Sequence, residues 1–145
     1  MNTKKPAIEF FTPDEESAIL INYYIDGVQA GFPTPIGDVQ DNTMSLDRTV
    51  VRNKEATFYA RVVGQSMINA GLNEGDMLVV DKSISPQHNQ IAVCAIDGEF
   101  TVKRLYMGKD GLYLMPENDK YLPIKVEEFN DFRIWGIVTY VVKKM

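Results

Sequence analysis

The sequence predicts a mainly β protein: one compact, twisted sheet or partial barrel over residues 46–145, preceded by an N-terminal arm, residues 1–45, that carries a short helix. Three observations predict it. From residue 57 onward the chain breaks into short runs rich in β-branched and aromatic residues. Two Asp-Gly pairs, Asp97-Gly98 and Asp110-Gly111, separate such runs, and that dipeptide favours two-residue hairpin turns. Ahead of them, four of the seven residues 31–37 are Gly or Pro, which marks an extended linker.

In chain order, Thr12-Pro13-Asp14-Glu15 has the form of a helix opening, with Thr12 as N-cap, Pro13 at the first helical position and Glu15 completing a capping box. A helix over 13–26 follows, ended by Gly27, with Ile19, Leu20, Tyr23 and Tyr24 on its apolar face. The Pro-flanked stretch and the polar residues 38–41 form the rest of the arm. Strands are expected over 57–63, 76–81, 91–96, 99–105, 112–115 and 132–142. A two-residue turn at Asp97-Gly98 sets Lys103 opposite Ala92 and Thr101 opposite Cys94, and side-chain alternation puts all four on one side of the ribbon. Lys103 therefore has small, mostly apolar neighbours.

The bulk properties exclude several classes. At 145 residues, 45% of them hydrophobic, the chain holds one domain with a real core plus an appendage. The net charge of −5 argues against direct DNA binding, which calls for a basic surface. One cysteine, Cys94, cannot form an internal disulfide, and one histidine, His88, leaves no Cys/His metal set, so no cofactor is expected. No signal-peptide pattern opens the chain, and its longest apolar stretch falls far short of the ~20 residues that span a bilayer. A cytoplasmic location is the expectation.

The chemistry-bearing residues are Ser66, in Gly64-Gln65-Ser66-Met67-Ile68, and Lys103, in Glu99-Phe100-Thr101-Val102-Lys103-Arg104-Leu105. A serine hydroxyl is a poor nucleophile until a base takes its proton, and a lysine amine can be that base. An ordinary lysine, pKa ~10.4, is neutral in about one molecule in a thousand near pH 7.4, so the amine must be buried to serve. Residue types alone leave the bland alternative open: a serine beside a glycine is usually a turn residue, and a strand lysine usually reaches water. The segment lacks the second glycine of an α/β-hydrolase elbow. His88, in a polar loop, reads as a solvated histidine, and Cys94 as a small core residue.

Spacing changes the balance. Gly64-Gln65-Ser66-Met67, then Gly71-Leu72 with Gly75-Asp76 and Leu78-Val79-Val80-Asp81, then the run from Asp97-Gly98 through Lys103 to Leu105, closely resembles the LexA/UmuD family of self-cleaving serine peptidases, over roughly residues 27–142. The small size and the segment Val28-Gln29-Ala30-Gly31-Phe32-Pro33 are most similar to its UmuD branch. The resemblance implies a LexA-like β domain, Ser66 as nucleophile, Lys103 as base, and Ala30-Gly31 as the bond cut. It also implies backbone N–H groups of Gln65 and Ser66 as oxyanion donors, with the arm lying in the cleft as an added strand. For partners it implies a homodimer, a RecA filament on single-stranded DNA that stimulates cleavage, and a UmuC-type translesion DNA polymerase served in the SOS response. Two other readings compete: a non-catalytic interaction module of such a polymerase, and a signal-peptidase-like enzyme acting on other proteins.

Overall fold

The computed structural model describes residues 8–13, 21–24 and 41–145, with the backbone alone at 21–24 and at 41 and 42. The chain divides into two compact units, residues 14–52 and residues 1–13 with 53–145.

In the smaller unit, β2 (Ile21–Tyr24) pairs antiparallel with β3 (Asp41–Met44). A five-residue helix, α1 (Leu46–Val50), follows, and Thr49 Oγ1 donates back to the Ser45 carbonyl at 2.9 Å. The expected helix over 13–26 therefore does not hold at 21–24, which is strand. Ile21-Asn22-Tyr23-Tyr24 carries β-branched and aromatic residues, and pairing with β3 prevails over the capping signal upstream. Residues 14–20, 25 and 26 lie outside the described residues, as does Ala30-Gly31, which falls in sequence between β2 and β3.

The larger unit is mainly β, as expected: an eight-stranded antiparallel sheet curled into a half-barrel, in the order β1-β4-β5-β10-β6-β7-β8-β9. Its strands are β1 (Ile8–Phe11), β4 (Thr57–Val62), β5 (Met77–Asp81), β6 (Ile91–Ile96), β7 (Glu99–Gly108), β8 (Gly111–Met115), β9 (Ile124–Lys125) and β10 (Phe132–Val142). The β6–β7 turn has positive φ at both Asp97 (50°) and Gly98 (81°), the conformation that matches the twist of a hairpin. The resulting register sets Ala92 opposite Lys103 and Cys94 opposite Thr101. β10 runs between β5 and β6 and shifts register around Gly136. A Cβ there would come within 2.7 Å of Val80 and 3.2 Å of the Asp81 carbonyl, so only glycine admits this approach.

Alternation along the strands gives the sheet two apolar clusters. One joins Phe58, Ala60, Leu78, Val80 and Val102 with Met67 and Leu72; the other joins Ala92, Cys94, Leu105, Leu114 and Ile137. β1 extends the sheet at the β4 edge, Ile8 opposite Val62 and Phe10 opposite Ala60. Phe10 packs edge-on against Phe58 (5.3 Å) and Phe100 (4.7 Å) and stacks over Trp135 (6.4 Å). Arg61 donates to Glu9 at 2.7 Å and lies over the Phe11 ring. Among the described residues, no helix is long and apolar enough to cross a membrane.

Candidate active site

Ser66 follows the end of β4. Gly64, at φ +93°, turns the chain off the strand in a conformation that side chains disfavour, and a 3-10 turn, Ile68–Ala70, carries it onward. The segment after β8 holds this loop in place. The Glu117 N–H donates to the Ser66 carbonyl at 2.8 Å, and the Asn69 N–H donates to the Glu117 carbonyl at 2.8 Å. Asn118, 8% exposed, donates from Nδ2 to the Gln65 carbonyl at 2.8 Å and accepts the Lys120 N–H at 3.0 Å. Because a trans peptide is planar with N–H and C=O opposed, fixing the Gln65 carbonyl also fixes the Ser66 N–H, pointing away from Asn118.

Lys103 reaches this serine from β7. Its Nζ lies 2.9 Å from Ser66 Oγ, 2.6 Å from Thr101 Oγ1 and 3.1 Å from the Val102 carbonyl. A neutral amine has two N–H donors and one lone pair. Donation to Thr101 and Val102 uses both donors and leaves the lone pair for the Ser66 hydroxyl proton. The residue is only 6% exposed, and its burial pushes the amine below the usual lysine range. Burial pushes the neighbouring Cys94 thiol up to about 12, and its thiolate, once formed, would draw the Lys103 pKa back up against the larger effect of burial. A buried amine with a lowered pKa, in hydrogen-bond reach of a hydroxyl, can take its proton and so generate a nucleophile.

Beside the pair is a pocket of about 40 Å³, lined mainly by Val62, Gly64, Met67, Leu72, Val102 and Ile8, with Ser66 also in its wall. His88 takes no part in the Ser66–Lys103 contact; its Nδ1 accepts the Met107 N–H at 2.9 Å and its ring packs edge-on to Tyr106. Among the described residues, no group of three or more His, Cys, Asp or Glu could hold a metal ion.

The structure thus brings together Ser66, Lys103 and the Gln65-Ser66 peptide. Sequence reasoning missed Glu117, Asn118 and Ile8. Pro116-Glu117-Asn118 reads as an ordinary turn after a strand, and nothing local shows that it returns to the serine loop. Only the apolar alternation of Ile8 and Phe10 hinted that this part of the arm is a strand.

Comparison with known proteins gives one family and several relatives. The Peptidase S24-like family matches residues 22–139. Protein SamA of Salmonella typhimurium is 40% identical over 115 residues, 79% of each chain. Protein ImpA of Escherichia coli is 35% identical over 133 residues, covering 91% of this chain and 90% of its own. Protein MucA of Escherichia coli is 37% identical over 121 residues, 83% of this chain and 82% of its own.

Proposed function

The chain belongs to the LexA/UmuD family of S24-like, self-cleaving peptidases, on its UmuD-type side, and we propose that it cuts its own Ala30-Gly31 bond with a Ser66–Lys103 dyad. The observation that carries this reading is the 2.9 Å approach of a buried Lys103 amine to Ser66 Oγ.

In the proposed reaction Lys103 takes the hydroxyl proton as Ser66 Oγ adds to the Ala30 carbonyl carbon. The negative charge that develops on the carbonyl oxygen meets the Ser66 N–H, with the Gln65 N–H as second donor. Collapse breaks the bond to Gly31, whose departing nitrogen takes the proton from Lys103. Water, with its proton drawn by the same amine, then frees Ala30 from the serine as a carboxylate. Small residues on both sides of the bond suit close approach of the backbone.

The cut is slow until a RecA filament on single-stranded DNA engages the chain. The trimmed 31–145 product then serves as a homodimeric accessory subunit of a UmuC-type translesion polymerase in the SOS response. The acidic balance, 20 acidic against 15 basic side chains, supports leaving DNA contact to the partners.

The test is direct. Purified full-length chain is incubated between pH 7 and 10, with and without activated RecA filament, and the products are read by mass spectrometry. A new N-terminus at Gly31 is expected, lost in Ser66→Ala and in Lys103→Ala. A wild-type chain left whole at pH 10 with filament present would overturn the reading.

A further inference from the structure

Ile8 lies far from the dyad in sequence, yet it forms part of the pocket that contains Ser66. It is placed there firmly. β1 pairs along β4 with Ile8 opposite Val62, and the Ile8 side chain is 4% exposed. Phe10, on the same side of the strand, is held by three aromatic rings, and Glu9 on the other side is held by Arg61.

The pocket is small, and its wall is mixed: Ile8, Val62, Met67, Leu72 and Val102 bring apolar side chains, while Ser66 and Thr101 lie beside them. About 40 Å³ is well below the roughly 150 Å³ of an apolar cavity that binds benzene, so the space suits a small side chain. A substrate residue whose carbonyl carbon sits at Ser66 Oγ would place its side chain in such an adjoining pocket.

We propose that Ile8 sets the size limit for the side chain on the N-terminal side of the bond Ser66 attacks, so that the segment to be removed supplies part of the pocket that recognises its own cleavage point. This rests on the self-cleavage reading above and adds a specificity-determining residue to it. Ala30 presents one methyl group and fits; a branched side chain meets Ile8. Cutting at Ala30-Gly31 also breaks the covalent link between Ile8 and the serine, so one wall of the pocket becomes dissociable after a single turnover.

The experiment is a set of full-length double variants, with cleavage rate as readout. Ala30→Val alone adds two carbons and should slow cutting at least tenfold, the low end of what even one extra methylene costs in a tight pocket. Adding Ile8→Ala should return at least tenfold of that loss. In the reverse pair, Ile8→Phe should slow cutting at Ala30, and Ala30→Gly should relieve it. Fold losses that simply multiply, the same with or without the Ile8 change, would overturn the proposal. Ile8→Val, a milder change, covers the case in which Ile8→Ala does not fold: it should restore Ala30→Val cutting in the same direction by a smaller factor, and independence there is equally fatal. A wild-type chain that is cut while no pair shows coupling removes Ile8 alone. A wild-type chain that is not cut removes the self-cleavage reading, and the proposal falls with it.

Discussion

Arg104, the residue after Lys103 on β7, donates from Nε to Glu117 Oε1 at 2.5 Å, and Glu117 in turn holds the Ser66 carbonyl through its N–H. The strand that carries the amine is thereby tied to the segment that carries the hydroxyl's support. Both side chains of the pair are about one-third exposed, so its contribution to global stability is small, about 0–1 kcal/mol. Its effect is expected on rate. Arg104→Met and Glu117→Gln should each slow self-cleavage by roughly 3- to 10-fold, and the double variant by no more than the worse single change, as residues acting through one contact do.

Asn118 gives a sharper test, because its amide both donates and accepts. Asn118→Asp keeps the shape but presents an acceptor to the Gln65 carbonyl, so the Gln65-Ser66 peptide loses its anchor. Cutting should fall by roughly 10- to 100-fold while the pH at half-maximal rate stays put, since the amine is untouched. Denaturant unfolding should show a loss of about 1–3 kcal/mol, the cost of an unsatisfied buried group. A normal rate in this variant would remove Asn118 from the support of the serine.

In the proposed reaction the amine would set the pH dependence of cutting. Burial lowers the Lys103 pKa, so the rate should rise with pH and reach half its maximum below the ordinary lysine value of 10.5. Thr101 accepts a bond from this amine at 2.6 Å, and such a bond favours the charged form more than the neutral one. Thr101→Val should therefore move the midpoint to lower pH and, by loosening the amine, lower the plateau. A midpoint unchanged in Thr101→Val would show that the hydroxyl does not act on the charge.

The same burial makes Lys103 a liability for folding. The folded amine takes a proton less readily than the unfolded one, so unfolding takes up a proton between the lowered folded value and about 10.5. The penalty is fully present below that window and fades as pH rises through it. Lys103→Met should abolish cutting yet resist urea better than wild type at pH 7, with the difference shrinking toward pH 10.5. Equal urea midpoints at both pH values would contradict it.

Cys94 is fully buried, and its thiol is pushed up to about 12. Reactivity belongs to the thiolate. Iodoacetamide at pH 8 should leave the folded chain unmodified and alkylate it only as denaturant unfolds it; rapid labelling in buffer would show that the second apolar cluster opens locally.

How much was legible in the sequence depended on how local each feature is. The β6–β7 hairpin was readable because Asp97-Gly98 sets its own turn, and the register that faces Lys103 with Ala92 follows from alternation alone. The 2.9 Å meeting of Ser66 with Lys103 needed more than residue types; ordered motif spacing supplied it. The strand at 21–24 was misread because Thr12-Pro13-Asp14-Glu15 signals a helix locally, and the strand at 8–11 was not expected at all; the partners that make them strands, β3 and β4, lie elsewhere in the chain. Asn118 and Glu117 escaped for the same reason: their partners at Gln65 and Ser66 are about 50 positions away.

Trp135 is the single tryptophan of the chain, 37% exposed, with the ring of Phe10 on one side and the Lys82 ammonium 4.4 Å from its centroid. That places the chain's one indole, which can be excited apart from its seven tyrosines, against the strand that self-cleavage would detach. Departure of residues 8–11 would leave the indole wetter and shift its emission to longer wavelength, so the chain carries an intrinsic optical gauge that separates bond scission from release of the severed peptide.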